Sequence, residues 1–155
     1  MNTRVVFIHR GGPEMASYRY RAMLPAHELG QINGYQVSVN GGEADTVIFS
    51  KPMGEDVALA QSVKAQGCKI IVDIGDDHLA DPRIGPLYTE MIGLADTIVS
   101  PTKDMAERVY RISGKSPVVI PDPFEYPEAP PHAEGNTLLW FGHERNLKAL
   151  RRYRA

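Results

Sequence analysis

"KIIVDIGDD", Lys69–Asp77, is the stretch on which the fold turns. Its apolar residues Ile70, Ile71 and Val72 follow one another instead of alternating with polar ones. A strand that faces water on one side alternates, whereas a strand covered on both faces reads as a near-continuous apolar run and belongs to a parallel sheet flanked by helices. The run ends in a glycine and two acids, so the chain leaves the strand into a loop.

The same grammar extends in both directions. Upstream, "RVVFIH" (Arg4–His9) runs straight into "RGGP", a strand followed by a glycine turn, and "YQVSVN" and "DTVIFSK" are strand candidates separated by "GGEA". Downstream, "DTIVS" and "PVVIPDP" continue the series. Between the strands lie helical stretches: Ser17–Leu29, "EDVALAQSVKAQG" with Gly67 as its stop, Arg83–Ala95, and "TKDMAERVYRIS" with Thr102 as N-cap and Gly114 as its end. The alternation predicts an α/β fold, a Rossmann-like, mostly parallel sheet with helices on both faces, over residues 1–120. From 121 to 136 the chain is too rich in proline for helix or central strand and reads as a linker. Residues 137–155 begin a second Rossmann-like unit with one strand, a glycine turn and one helix, which cannot bury a core of their own.

Composition narrows the function classes. In 155 residues, 17 basic and 19 acidic side chains nearly cancel to a net charge of -2, which gives no reason to expect nucleic-acid binding. The apolar runs are strand-length, far short of the roughly 20 residues of a membrane span. The N-terminus enters a strand pattern at once, without the apolar region and cleavage site of a signal peptide, and reads as that of a cytoplasmic protein. The basic tail "RNLKALRRYRA" reads as the solvated face of an interrupted second domain, with contact to anionic lipid, peripheral to a membrane, or to nucleic acid as the functional alternatives. The single cysteine, Cys68, reads as a packed thiol.

In a parallel α/β sheet ligands collect beyond the carboxyl ends of the strands, so the residues just after each strand come first. Gly11 and Gly12 let backbone amides approach a phosphate, or simply make a tight turn; the pattern is neither GxGxxG nor a P-loop. Arg19 and Arg21, alternating with Tyr18 and Tyr20, add positive charge where a helix dipole is already positive, at roughly 0.3–1 kcal/mol each. Pro25, inside the same helix, removes a hydrogen bond at about 3 kcal/mol. Rule-breaking of this kind marks functional sites and suggests an anionic partner; the plainer reading is a solvated arginine face with tyrosines packed on the sheet. Asp76, Asp77 and His78 offer a general base, with a divalent ion or a solvated capping loop as the alternatives.

Taken in order, "RVVFIHRGG", "SYRYRAMLPAHEL", "DIGDD", "ADTIVSPTKDMAERV", "VVIPDPFE" and "LLWFGHERNLKAL" resemble the N-terminal half of a GT-B glycosyltransferase of the family-four-like group. Asp122 stands where the family's "IPN" segment has asparagine. The resemblance implies transfer of a sugar, as in a hexosyltransferase, from a nucleotide-diphosphate-sugar donor to a glycan or small-molecule acceptor in a cleft between two Rossmann-like domains, with no cofactor and no obligatory metal. It implies donor phosphates near Gly11, Gly12, Gly142 and His143, an anion or acceptor on Arg19 and Arg21, and acceptor-binding or base roles for the catalytic candidates Asp76, Asp77 and His78. The grip on the donor belongs to the rest of a second domain, so the isolated chain is expected to be inactive unless a separately encoded donor domain or self-association completes the cleft. Two rivals stand beside this reading: a non-catalytic module binding a glycan or a protein on a Rossmann-like shell, and a flavodoxin-like or receiver-like domain prompted by the acid pair.

Overall fold

The computed structural model describes residues 2–123 and 135. The linker beyond Pro123, apart from Gly135, and the expected second unit with Gly142 and His143 lie outside these residues.

Among the described residues twelve elements follow one another: β1 (Thr3–His9), α1 (Ala16–Tyr18), a π-helical turn (Arg19–Met23), α2 (Leu24–Gly30), β2 (Tyr35–Val39), β3 (Thr46–Ser50), α3 (Gly54–Ala65), β4 (Lys69–Asp73), α4 (Gly85–Leu94), β5 (Thr97–Ser100), α5 (Lys103–Ser113) and β6 (Val118–Val119). The strands form one six-stranded sheet in the order β2-β1-β3-β4-β5-β6, and every neighbouring pair is parallel. The α/β, Rossmann-like class expected from the apolar runs is the one observed. The order is the doubly wound variant in which the chain reverses direction between β1 and β3.

Side chains alternate along each strand and so divide between two faces. Val6, Ile8, Val47, Phe49, Ile70, Val72 and Ile98 pack against Ala60, Tyr88, Met91, Ile92 and Val109 from α3, α4 and α5. On the opposite face Val5 and Phe7 pack with Ala22 and Ala26 from the α1–α2 segment, and Tyr18, Leu29, Val37, Val39 and Ile48 border that smaller cluster.

The connection from β2 to β3 is residues 40–45, without a helix, although a parallel crossover usually takes a dozen residues or more. Asn40 makes the short route work. It sits at φ 58°, a left-handed conformation that asparagine tolerates, its N–H donates to Phe7 O at 2.7 Å, and its side-chain Oδ1 accepts from the His9 N–H at 2.9 Å.

Pro25 does not kink a helix interior as its position in the sequence suggests. The turn before it is π-helical: the Leu24 N–H donates to Arg19 O, five residues back, and Pro25 falls in the first turn of α2. A proline there forfeits little, and π turns recur at functional sites. The caps of α5 are those the sequence suggested, with Thr102 Oγ1 accepting from Met105 N–H at 3.2 Å and Gly114 left-handed at φ 69°.

Candidate functional site at the carboxyl edge of the sheet

Three central strands end in polar residues that lie side by side. His9 of β1 is in register with Ser50 of β3, and Ser50 with Asp73 of β4. All three share the face that carries α1 and α2, because Phe7, Ile48 and Ile71 precede them by two residues in each strand. All are buried: His9 is 1%, Ser50 3% and Asp73 5% exposed. A buried polar row at the switch point of a doubly wound sheet stands where such folds bind ligands.

Arg21 reaches this row from the π turn. It is itself only 9% exposed, and its Nη1 donates to Asp73 Oδ1 at 2.9 Å. Ser50 Oγ donates to the other carboxylate oxygen at 3.4 Å. Burial pushes the Asp73 pKa up to about 6, outweighing Arg21 and Ser50, and the charge of Asp122 adds to the rise. The second guanidinium nitrogen, Arg21 Nη2, lies 2.6 Å from Asp122 Oδ1, an ion pair whose N–H is not aligned for a hydrogen bond.

His9 is held as a neutral ring. The Gly11 N–H donates to its Nδ1 at 2.9 Å, which leaves the ring proton on Nε2, and that atom finds no hydrogen-bond partner among the described residues. Burial, and then the positive charge of Lys51, lower its pKa. Tyr18 packs edge-on against the ring at 5.5 Å.

Beyond β4, the catalytic candidates divide. Asp76 Oδ2 lies 3.7 Å from His78 Nε2 and 3.5 Å from Lys51 Nζ, so an acid, an imidazole and an ammonium share one spot. Asp77 turns to α5 instead and pairs with Arg108 at 2.6 Å. The His78 ring also stacks edge-on with Tyr88 at 5.2 Å, and burial, followed by the charges of Asp76 and Asp73, pushes that phenol up to about 12, so Tyr88 stays neutral. The loop carrying this group closes tightly over the start of α4: a Cβ on Gly85 would stand 2.6 Å from the Leu79 carbonyl oxygen.

Arg19 and Arg21, adjacent in the sequence argument, go separate ways. Arg19 Nη1 donates to Pro13 O at 2.8 Å and its guanidinium lies 6.0 Å from the Tyr20 ring centroid, while Arg21 is buried with Asp73. Gly11 and Gly12 form the loop after β1; a Cβ on Gly11 would meet Met15 Sδ and the His9 ring, and one on Gly12 the Glu14 carboxylate. Gly142 and His143 lie outside the described residues. Among those residues no three His, Cys, Asp or Glu side chains gather as they would around a metal ion, and no helix is long and apolar enough to cross a membrane.

Sequence reasoning passed over His9, Ser50, Asp73 and Lys51. A signal was present, since each apolar run breaks to a polar residue at its last strand position, and Lys51 adds a second one in space: at φ 55° it holds a left-handed conformation that costs a non-glycine residue of order 1 kcal/mol. No family model matches the chain, and no curated protein matches it.

Proposed function

We propose that the chain is the acceptor-side domain of a glycosyltransferase, which transfers a sugar from a nucleotide-diphosphate sugar to a glycan or small-molecule acceptor. The observation that carries this reading is the gathering, at one edge of a doubly wound sheet, of a buried polar row served by Arg21 and a solvent-reachable Asp76–His78 pair. Sugar transfer asks for a base to take the proton of the acceptor hydroxyl, and an acid held beside an imidazole is such a base. It also asks for positive charge where the diphosphate departs, and Lys51 stands beside the pair. The sequence resemblance supplies the reaction class, and the edge has the groups that class needs. The resemblance sets the donor phosphates near Gly11 and Gly12, and the rest of donor binding falls to residues outside the described part, Gly142 and His143 among them.

Ligand-observed and amide-detected NMR on the chain, with mono- and oligosaccharides and with nucleotide-diphosphate sugars, tests the reading. Saccharide-induced shifts at His9, Ser50, Asp73 and Asp76 support it, and the absence of saccharide shifts at that edge overturns it. Release of nucleoside diphosphate by the protein as its native source produces it separates a transferase from a binding module, which would bind the saccharide and release nothing. Magnesium-dependent binding of a phosphate analogue at Asp76 and Asp77 would instead favour the receiver-like alternative.

A further inference from the structure

Below the polar row, on the face that carries α1 and α2, lies a cleft of about 320 Å³. Its floor is the next row of the sheet, Phe7, Ile48 and Ile71, with Val99 beside them; Tyr20, Arg21 and Pro25 form one wall and Ile120, Pro121 and Pro123 the other. A cleft of this size with an apolar lining and few polar groups is the usual form of a small-ligand site. Arg21 and Asp73 are its charged groups, both at the end nearest the polar row.

Arg21 is more than nine-tenths buried, yet its Nη2 makes no hydrogen bond among the described residues. A buried donor left without an acceptor is costly, and more so when it is charged. The carboxylate nearest to it belongs to Asp122, whose side chain is 54% exposed at the rim and is not aligned to accept. The segment that carries Asp122, just past β6, is tied to the sheet through the Ile120 N–H, which donates to Ser100 O at 2.9 Å. Beyond Ile120, Pro121-Asp122-Pro123 has a single backbone donor in three residues, so little pairing opposes a shift of Asp122.

We propose that this cleft binds a small amphipathic carboxylate, with its apolar body on Phe7, Ile48, Ile71 and Val99 and its carboxylate on Arg21 in the place now taken by Asp122. Charge selects a carboxylate over a phosphate. Exchanging the Asp122 carboxylate for one ligand carboxylate leaves the charge around Arg21 and Asp73 unchanged, whereas a phosphate dianion would set excess negative charge against buried Asp73. The planar guanidinium fork pairs with a carboxylate as readily as with a phosphate, so the choice between them rests on charge. The inference needs only the cleft and Arg21, and does not rest on the transferase reading.

The test is an amide-detected NMR titration of the 155-residue chain with hexanoate, with 1-hexanol as the neutral probe and inorganic phosphate as the anion without an apolar body. Hexanoate is expected to shift Tyr20, Arg21, Ile71 and Ile120 saturably. Asp122→Asn removes the internal competitor and is expected to tighten hexanoate binding about fivefold, the scale of one partly exposed ion pair. Equal binding of hexanol, stronger binding of phosphate, unchanged affinity in Asp122→Asn, or shifts elsewhere on the molecule would each overturn the proposal. Saccharide shifts at His9, Ser50 and Asp76 without hexanoate shifts in the cleft would sink this inference and leave the transferase reading standing; the reverse pattern would do the opposite.

Discussion

The two faces of the sheet are built from the same strands and do different work. Toward α3, α4 and α5 the strands present Val6, Ile8, Val47, Phe49, Ile70 and Val72, all buried, against three helices. Toward α1 and α2 the buried apolar residues of the sheet are Val5 and Phe7, while Ile48, Ile71 and Val99 are half-covered floor to a cleft. In the central strands β1, β3 and β4 the first face is apolar from Val6 and Ile8 through Val47 and Phe49 to Ile70 and Val72, whereas the second finishes in His9, Ser50 and Asp73. The difference teaches that one face is closed as a core while the other is left partly open, and the open face is where both proposals place a ligand.

The sharpest way to break that comparison is a pair of truncations. Phe49 is wholly buried on the α3 face, and Phe49→Ala is expected to cost about 3–5 kcal/mol in urea unfolding. Ile71→Ala, two strand positions before Asp73 on the cleft face, should cost about 1–2 kcal/mol, because part of that side chain is already in water. Equal losses would mean that the cleft face is as much a core as the other.

How much of this was legible in the sequence follows the same division. The α3 face was readable because apolar runs and helix signals are local: Thr102 and Gly114 delimit α5, and Gly67, at φ 87°, follows α3. The cleft face was not. Arg21 owes its burial to Asp73, fifty-two positions away, and no local period announces such a pair. The strand order was equally hidden, since "YQVSVN" and "DTVIFSK" lie close together in the chain yet flank β1 from opposite sides. Pro25 reads locally as a helix breaker, whereas in the fold it falls in the first turn of α2, just past a π turn that no local period announces. The site expectations were drawn to loops, whereas the buried polar row sits on the last residues of the strands themselves.

The buried pair gives the next effect. Arg21→Met leaves Asp73 buried without its cation and is expected to cost about 3 kcal/mol near neutral pH. The loss should shrink on acidification, because Asp73 then takes up a proton and ceases to be a buried charge. Asp73→Asn checks the sign in the otherwise native protein. With a folded pKa of about 6 against an ordinary 3.8, Asp73 contributes stability that is fully present below 3.8 and lost as pH rises through about 6. His9, lowered by burial, works the other way, with stability present above its ordinary 6.5 and lost as pH falls. Asp45, held down to about 2 by Arg4, is ionised in the folded state above pH 4; its unfolded form begins to take up a proton near 3.8, a contribution that is the same in wild type and Asp73→Asn and cancels in their difference. The stability of wild type minus that of Asp73→Asn, followed by thermal unfolding from pH 4 to 7, should therefore fall steadily; a flat difference would mean that Arg21 fully offsets the burial of Asp73.

The smallest effect on stability sits at the cleft rim. Ile120 is 51% exposed, so Ile120→Ser should leave the unfolding free energy within about 0.5 kcal/mol of wild type. The same change removes apolar surface from one wall of the cleft, and hexanoate binding should weaken while the fold is untouched. Stability and binding would then respond to different faces of one sheet. A loss of more than about 1 kcal/mol would place Ile120 among the residues that close the domain, and the cleft would become an extension of the core that the α1–α2 segment only partly covers.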